Sequence, residues 1–162
     1  VCLSRLVVIR EMFSRHTAWG RFWKATDGQS MVELALCLPL LVFGLVGGAD
    51  LARGFALQIA VENGSRAGAE AYAITSIPTA AEAQLAAVEE INRTPTAAAN
   101  ASMVQVTKTL ADGTLAPNCA STIAVPCYVN VRVQYVWRTL VAWPLIPNSG
   151  TFDRTTSMRT FY

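Results

Sequence analysis

The sequence predicts an α+β chain: a long N-terminal helix able to cross a membrane, followed by helices on a small antiparallel sheet. Three observations carry this reading. Leu34 to Ala49 is a run of 16 residues without a charge. Helical spacing of apolar residues continues beyond that run to about Thr75, and a capped second helix follows at Ala80. From residue 101 the apolar period falls to two, the signature of half-buried strands.

Residues 1–28 read as a leader. Arg5, Arg10, Arg15, Arg21 and Lys24 stand against Glu11 and Asp27, with the apolar Val7, Val8, Ile9, Met12, Phe13, Trp19, Phe22 and Trp23 between them. Such a segment lies on a membrane surface or forms a plain tail. Cations ahead of an apolar block stay on the cytoplasmic side. The leader is therefore expected in the cytoplasm and the chain beyond about residue 55 outside it.

At 1.5 Å per residue the apolar run is about 24 Å of helix, slightly short of a hydrocarbon core of about 30 Å. Asp50 and Arg53, three residues apart, are spaced to pair near the far interface. The alternative is the buried core helix of a soluble protein. Pro39 removes the hydrogen bond to the carbonyl of Ala35 and is expected to bend or loosen the span. Beyond it, Leu57, Ile59, Ala60, Val61, Ala67, Ala71 and Ile74 recur among polar neighbours. Gly64 and Gly68 either weaken this stretch by about 1 kcal/mol each or permit close helix contact. Ile77-Pro78 marks its end.

Thr79-Ala-Ala-Glu82 is a capping box, so a second helix is expected from Ala80 to Ile91 or Asn92, with Leu85, Val88 and Ile91 inward. Residues 94–101 are the most linker-like stretch. Met103 to Thr109 alternates, and Ala111-Asp-Gly-Thr114 supplies a turn. Tyr128 to Arg138 sets Val129, Val131, Val133, Tyr135 and Trp137 on one face and Asn130, Arg132, Gln134 and Arg138 on the other. After a loop with Pro144 and Pro147, Thr151 to Phe161 makes a third, Thr-rich strand. Three strands with one apolar face need a helical cover. The expected organisation is a cytoplasmic leader (1–28), a transmembrane and extended helix (29–75) and an extracytoplasmic α+β domain (76–162).

A net charge of +2, with the cations spaced among apolar residues, argues against a nucleic-acid partner. The one histidine, His16, lies in the leader, and no metal cluster, nucleophile–base set or phosphate loop is present, so neither metal, cofactor nor catalysis is expected. If the chain beyond residue 50 is extracytoplasmic, a Cys119–Cys127 disulfide is expected there. Cys37 follows Leu36, which is not small, and precedes most of the apolar block, so a lipoprotein box is rejected. Signal-peptide cleavage near Ala49 fits poorly with Pro39 and with a helix that continues.

The junction Asp27-Gly28-Gln29-Ser30-Met31-Val32-Glu33 places a carboxylate at the mouth of the apolar block. A carboxylate there is expensive unless partnered, and so is functional by default. A cut after Gly28, whose peptide bond no side chain blocks, frees an α-amino group at Gln29 that can neutralise Glu33 of its own or a neighbouring helix.

Gly28-Gln-Ser-Met-Val-Glu33-Leu-Ala-Leu-Cys-Leu-Pro39-Leu-Leu resembles the N-terminus of the TadE-like proteins, pseudopilins of tight-adherence (Tad) pilus systems. So do Gly48-Ala-Asp50-Leu-Ala-Arg53 and Ala60-Val-Glu-Asn-Gly-Ser-Arg66-Ala-Gly-Ala, and more loosely Trp143-Pro144-Leu145 and Ser157-Met158-Arg159. The resemblance implies a pilin-like domain, processing by a prepilin peptidase between Gly28 and Gln29, and pilins and pilus assembly proteins as partners. It implies a single-pass protein of the bacterial inner membrane with a periplasmic domain. The chain is longer than the major pilins of these systems, which suggests a minor subunit. The remaining alternatives are an unprocessed assembly factor and a domain released by signal peptidase.

Overall fold

The computed structural model describes residues 28–143 and 147–161. The leader cations, the leader's apolar residues, His16, Pro144 and Leu145 lie outside the described residues. The chain divides into two compact units, one ending at Gly47 and one from Gly48 to Tyr162. The elements are α1 (Gln29–Ile74), α2 (Ala80–Asn92), a single 3-10 turn (Ala101–Met103), β1 (Val104–Leu110), β2 (Cys127–Arg138) and β3 (Ser149–Arg159). The fold class is α+β.

Helix α1 has 46 residues and is continuous through Pro39; at 1.5 Å per residue it is about 69 Å long. In the first unit its apolar residues, from Met31 to Leu45, are exposed on every side. It is the one helix among the described residues long and apolar enough to cross a membrane, and none of its most apolar window is buried. A helix apolar all round and exposed is matched to lipid or to other apolar helices.

The end of α1 is tied down by partners for its last carbonyls, which have none within the helix. The Thr75 hydroxyl donates to the Ala71 carbonyl at 2.6 Å, and the Phe161 N–H to that of Ala73 at 3.3 Å. The capping box at α2 forms as expected. The Glu82 N–H donates to the Thr79 hydroxyl at 3.2 Å, and the Thr79 N–H to the Glu82 carboxylate at 3.3 Å.

In the second unit the sheet is antiparallel in the order β1-β2-β3. Strand β2 is central, and its alternation decides the packing: Cys127, Val129, Val131, Val133 and Tyr135 are buried, and Trp137 packs at the margin. These side chains share one core with Leu57, Ala60, Val61, Ala69, Tyr72 and Ala73 of α1 and Ala83, Ala87 and Ile91 of α2. The helices therefore cover the valine face.

The face that α2 buries differs from the expected one. Ala83, Ala87 and Ile91 point inward at a spacing of four, whereas Leu85 is 60% exposed and Val88 only partly buried. The cause lies on α1. A Cβ at Gly64 would sit 2.5 Å from Ile91 Cγ1 and 2.9 Å from the Ala87 carbonyl oxygen. One at Gly68 would sit 2.8 Å from the Ala83 carbonyl. The α2 backbone at Ala83 and Ala87 comes close to α1, and Ile91 fills the space over Gly64. The glycines thus serve close contact.

The stretch 94–101, linker-like in sequence, is pinned. The Asn92 side chain donates to the Ala99 carbonyl at 3.1 Å and accepts from its N–H at 2.8 Å. The Ala98 N–H donates to the Tyr135 hydroxyl at 3.1 Å.

Candidate functional site: the start of α1 and its buried seam

Gln29 is the first α-helical residue of α1, so the Gly28–Gln29 peptide stands at the boundary between α1 and the chain before it. A Cβ built on Gly28 would meet nothing within 4 Å. Gly28, Gln29 and Glu33 are all exposed. The Gln29 side-chain amide donates to the Glu33 carboxylate at 3.0 Å, so these two residues share one helix face, one turn apart. An amine on the backbone nitrogen of Gln29 would lie about 6 Å along the axis from Glu33. The arrangement fits charge pairing, within one helix or between neighbours, and offers an unhindered peptide bond. Pro39 stands six residues beyond Glu33, inside the helix, and Cys37 is an exposed free thiol.

The second part of the site is the seam of α1 against the domain. Asp50 is only 2% exposed. Its carboxylate accepts from Arg53 at 2.8 Å, the pairing expected from the spacing. It also accepts from the Leu140 N–H at 2.9 Å, a partner 90 residues away that the sequence does not announce. The one signal was an acidic residue placed directly after an uncharged run. Ser65 is buried too, donating to the Glu62 carbonyl at 2.8 Å and sharing a 2.7 Å hydrogen bond with Thr156 of β3. Small residues at 64, 65 and 68 thus face the domain, while Arg66 turns outward and pairs with Glu62 at 2.5 Å.

Cys119 and Cys127 lie at disulfide distance, with Cα atoms 6.1 Å apart. They close the loop between β1 and β2 onto the start of β2. Lys108 of β1 donates to the Cys119 carbonyl at 3.1 Å and lies 5.7 Å from the centre of the Tyr72 ring.

A surface cleft of about 430 Å³ is lined by Glu62, Ser65, Arg66, Arg154 and Thr156 among others. Its Glu62, Ser65, Arg66 and Thr156 are engaged with one another in the contacts just described. Another of about 390 Å³ lies between Tyr72, Val106, Lys108 and Leu115. On the outer face of the sheet Arg132 forms an ion pair with Asp153, which also accepts from Gln134 at 3.0 Å. These bonds, that from Arg132 first, lower the Asp153 pKa from 3.8 to about 2.

Among known proteins, the sequence model of the family described as TadE-like protein matches residues 28–70. No curated protein and no solved structure matches the chain. The matched segment holds Gly28, Glu33, the apolar run, the Asp50–Arg53 pair and the glycines that admit α2. Across residues 28–70, from the exposed start of α1 to its buried small-residue seam, the chain is similar to the TadE-like family.

Proposed function

We propose that this chain is a structural minor pilin, or pseudopilin, that helps to build or prime a Tad-type adhesive pilus. It performs no catalysis. The observation that carries the reading is α1 itself. A TadE-like helix starts at Gln29, directly after an unhindered glycine, and leaves its apolar residues from Met31 to Leu45 exposed. A surface of that kind must meet either lipid or like helices, and a pilin needs both in turn. The domain after Gly48 is the part displayed outside the cytoplasm, in the periplasm for a protein of the inner membrane.

The chemistry of the start of α1 gives the order of events. A prepilin peptidase cuts between Gly28 and Gln29. The new amine then lies one turn from Glu33, whose carboxylate would otherwise face an apolar surrounding with only the Gln29 amide as partner. Pairing with the amine of a neighbouring subunit fixes the axial register between packed helices. Pro39 leaves one helical carbonyl without its partner, and this loosens the helix for departure from the bilayer.

The test is a pair of variants in the native host. Gly28→Leu should block processing and leave the longer form in the membrane. Glu33→Leu should insert normally but lower piliation severely. Normal piliation with Glu33→Leu would remove that carboxylate from the mechanism.

A further inference from the structure

We propose that the loop following β2 is a second membrane contact, in which Leu140 and Val141 enter the bilayer interface at the distal end of the span and shield Asp50 from lipid. This rests on the reading of α1 as a membrane span.

The argument begins with length. A span needs about 20 residues to cross about 30 Å of hydrocarbon, whereas the uncharged run from Leu34 to Ala49 has 16. Counted from Leu34, about 20 residues reach Arg53. The hydrocarbon edge therefore falls at Asp50 to Arg53. A bare carboxylate at that depth costs several kcal/mol. Asp50 is instead buried and holds two partners, Arg53 and the Leu140 N–H. The hydrogen bond to Leu140 sets the loop at the level of Asp50, and so at the level of the interface.

The loop's composition fits that level. Leu140 is 72% exposed although its own N–H is consumed by Asp50. Val141 and Ala142 are exposed beside it. The backbone on either side of Leu140 and Val141 is hydrogen-bonded to Asn148. The Thr139 N–H donates to the Asn148 carbonyl at 3.0 Å and the Trp143 N–H to the Asn148 side chain at 2.6 Å. The apolar side chains of Leu140 and Val141 are thus exposed on a hydrogen-bonded backbone. Leu51 and Phe55, at the same level on α1, are exposed as well. Trp137, a residue type favoured at membrane interfaces, covers Gly54, with ring atoms 3.3 Å from where a Cβ would stand. An apolar loop bonded to Asp50, at the end of the uncharged run, meets lipid there.

The experiment uses the full chain in phospholipid vesicles, in a Cys2→Ser, Cys37→Ser background that keeps Cys119 and Cys127. Leu41→Cys, Ala111→Cys, Leu140→Cys and Val141→Cys are each spin-labelled. Collision with oxygen, which partitions into lipid, is compared with collision with a water-soluble nickel chelate. Ala111 lies in the turn after β1, at the opposite end of β2 from the loop. The expected oxygen-to-nickel ratio is highest at 41 and lowest at 111, with 140 and 141 several-fold above 111. A label at 41 in lipid with 140 and 141 as wet as 111 would overturn the loop contact and leave the span standing. A label at 41 as wet as 111 would remove the span, and the loop contact with it.

Discussion

Gly64 carries a conflict between local and tertiary preference. Inside a helix, alanine is favoured over glycine by about 1 kcal/mol, so Gly64→Ala would stabilise an isolated α1. In the folded domain the added carbon would stand 2.5 Å from Ile91 Cγ1 and 2.9 Å from the Ala87 carbonyl. Ile91 is fully buried and a backbone carbonyl cannot step aside, so α2 must move. Overpacking of this kind costs about 1–3 kcal/mol. The substitution should therefore destabilise the domain, read as a lower denaturation midpoint of the chain in detergent. A raised midpoint would mean that the helices are not in close contact. Asp153 gives a second test at this scale. Its folded pKa of about 2 lies below its ordinary 3.8 because Arg132 and Gln134 donate to the carboxylate. The ion pair thus contributes its stabilisation above about pH 4 and loses it as pH falls toward about 2. Asp153→Asn should lower stability at neutral pH, and the difference from the unaltered chain should fade across that acid window. Single residues were also where the sequence was hardest to read. Asp50 announced a pairing with Arg53 but not with Leu140, because a contact across 90 residues leaves no periodic trace. Apolar spacing points Leu85 inward with Ile91, but the close approach of α2 to Gly64 and Gly68 turns Ala83, Ala87 and Ile91 to the core and leaves Leu85 exposed.

Elements were far more legible, because each rests on a local rule. The capping box fixed the start of α2 at Ala80. Strand alternation placed β2 and its buried valines almost to the residue, and β1 and β3 within about two residues, the usual uncertainty of element ends. The segment 94–101 escaped for the opposite reason. Its Thr, Pro and Ala residues carry no pattern, and its order comes from Asn92 and Tyr135, which lie outside it. The loop between β1 and β2 is the element whose stability turns on chemistry. Cys119 and Cys127 lie at disulfide distance and are separated by eight positions, and a bridge closing so short a loop stabilises by roughly 2–3 kcal/mol in the chain-entropy model. Thiol labelling of the denatured, unreduced protein should leave both positions unmodified. Labelling at both would show free thiols. Replacing the pair with serine should lower stability by about the same amount.

At the scale of the whole molecule, sequence and structure agree on a division of labour within one helix. The part of α1 before Gly48 is apolar on every side and its apolar residues from Met31 to Leu45 are exposed. The part after it carries a small-residue seam that the sheet and α2 require. The first property was visible as composition. The second was visible as Gly64 and Gly68, for which close helix contact was one of two readings, and α2 and β3 decide for contact. Together they suit the proposed role, in which the domain stands outside the cytoplasm and the anchor exchanges lipid for other helices. In the proposed mechanism that exchange uses a free amine beside Glu33, supplied by cleavage after Gly28. The most direct test is the N-terminal residue of the protein purified from its native membrane. The account predicts Gln29 as the first residue. A mature chain that retains the residues before Gln29 would contradict it, and would make this protein an unprocessed assembly factor anchored by the same helix.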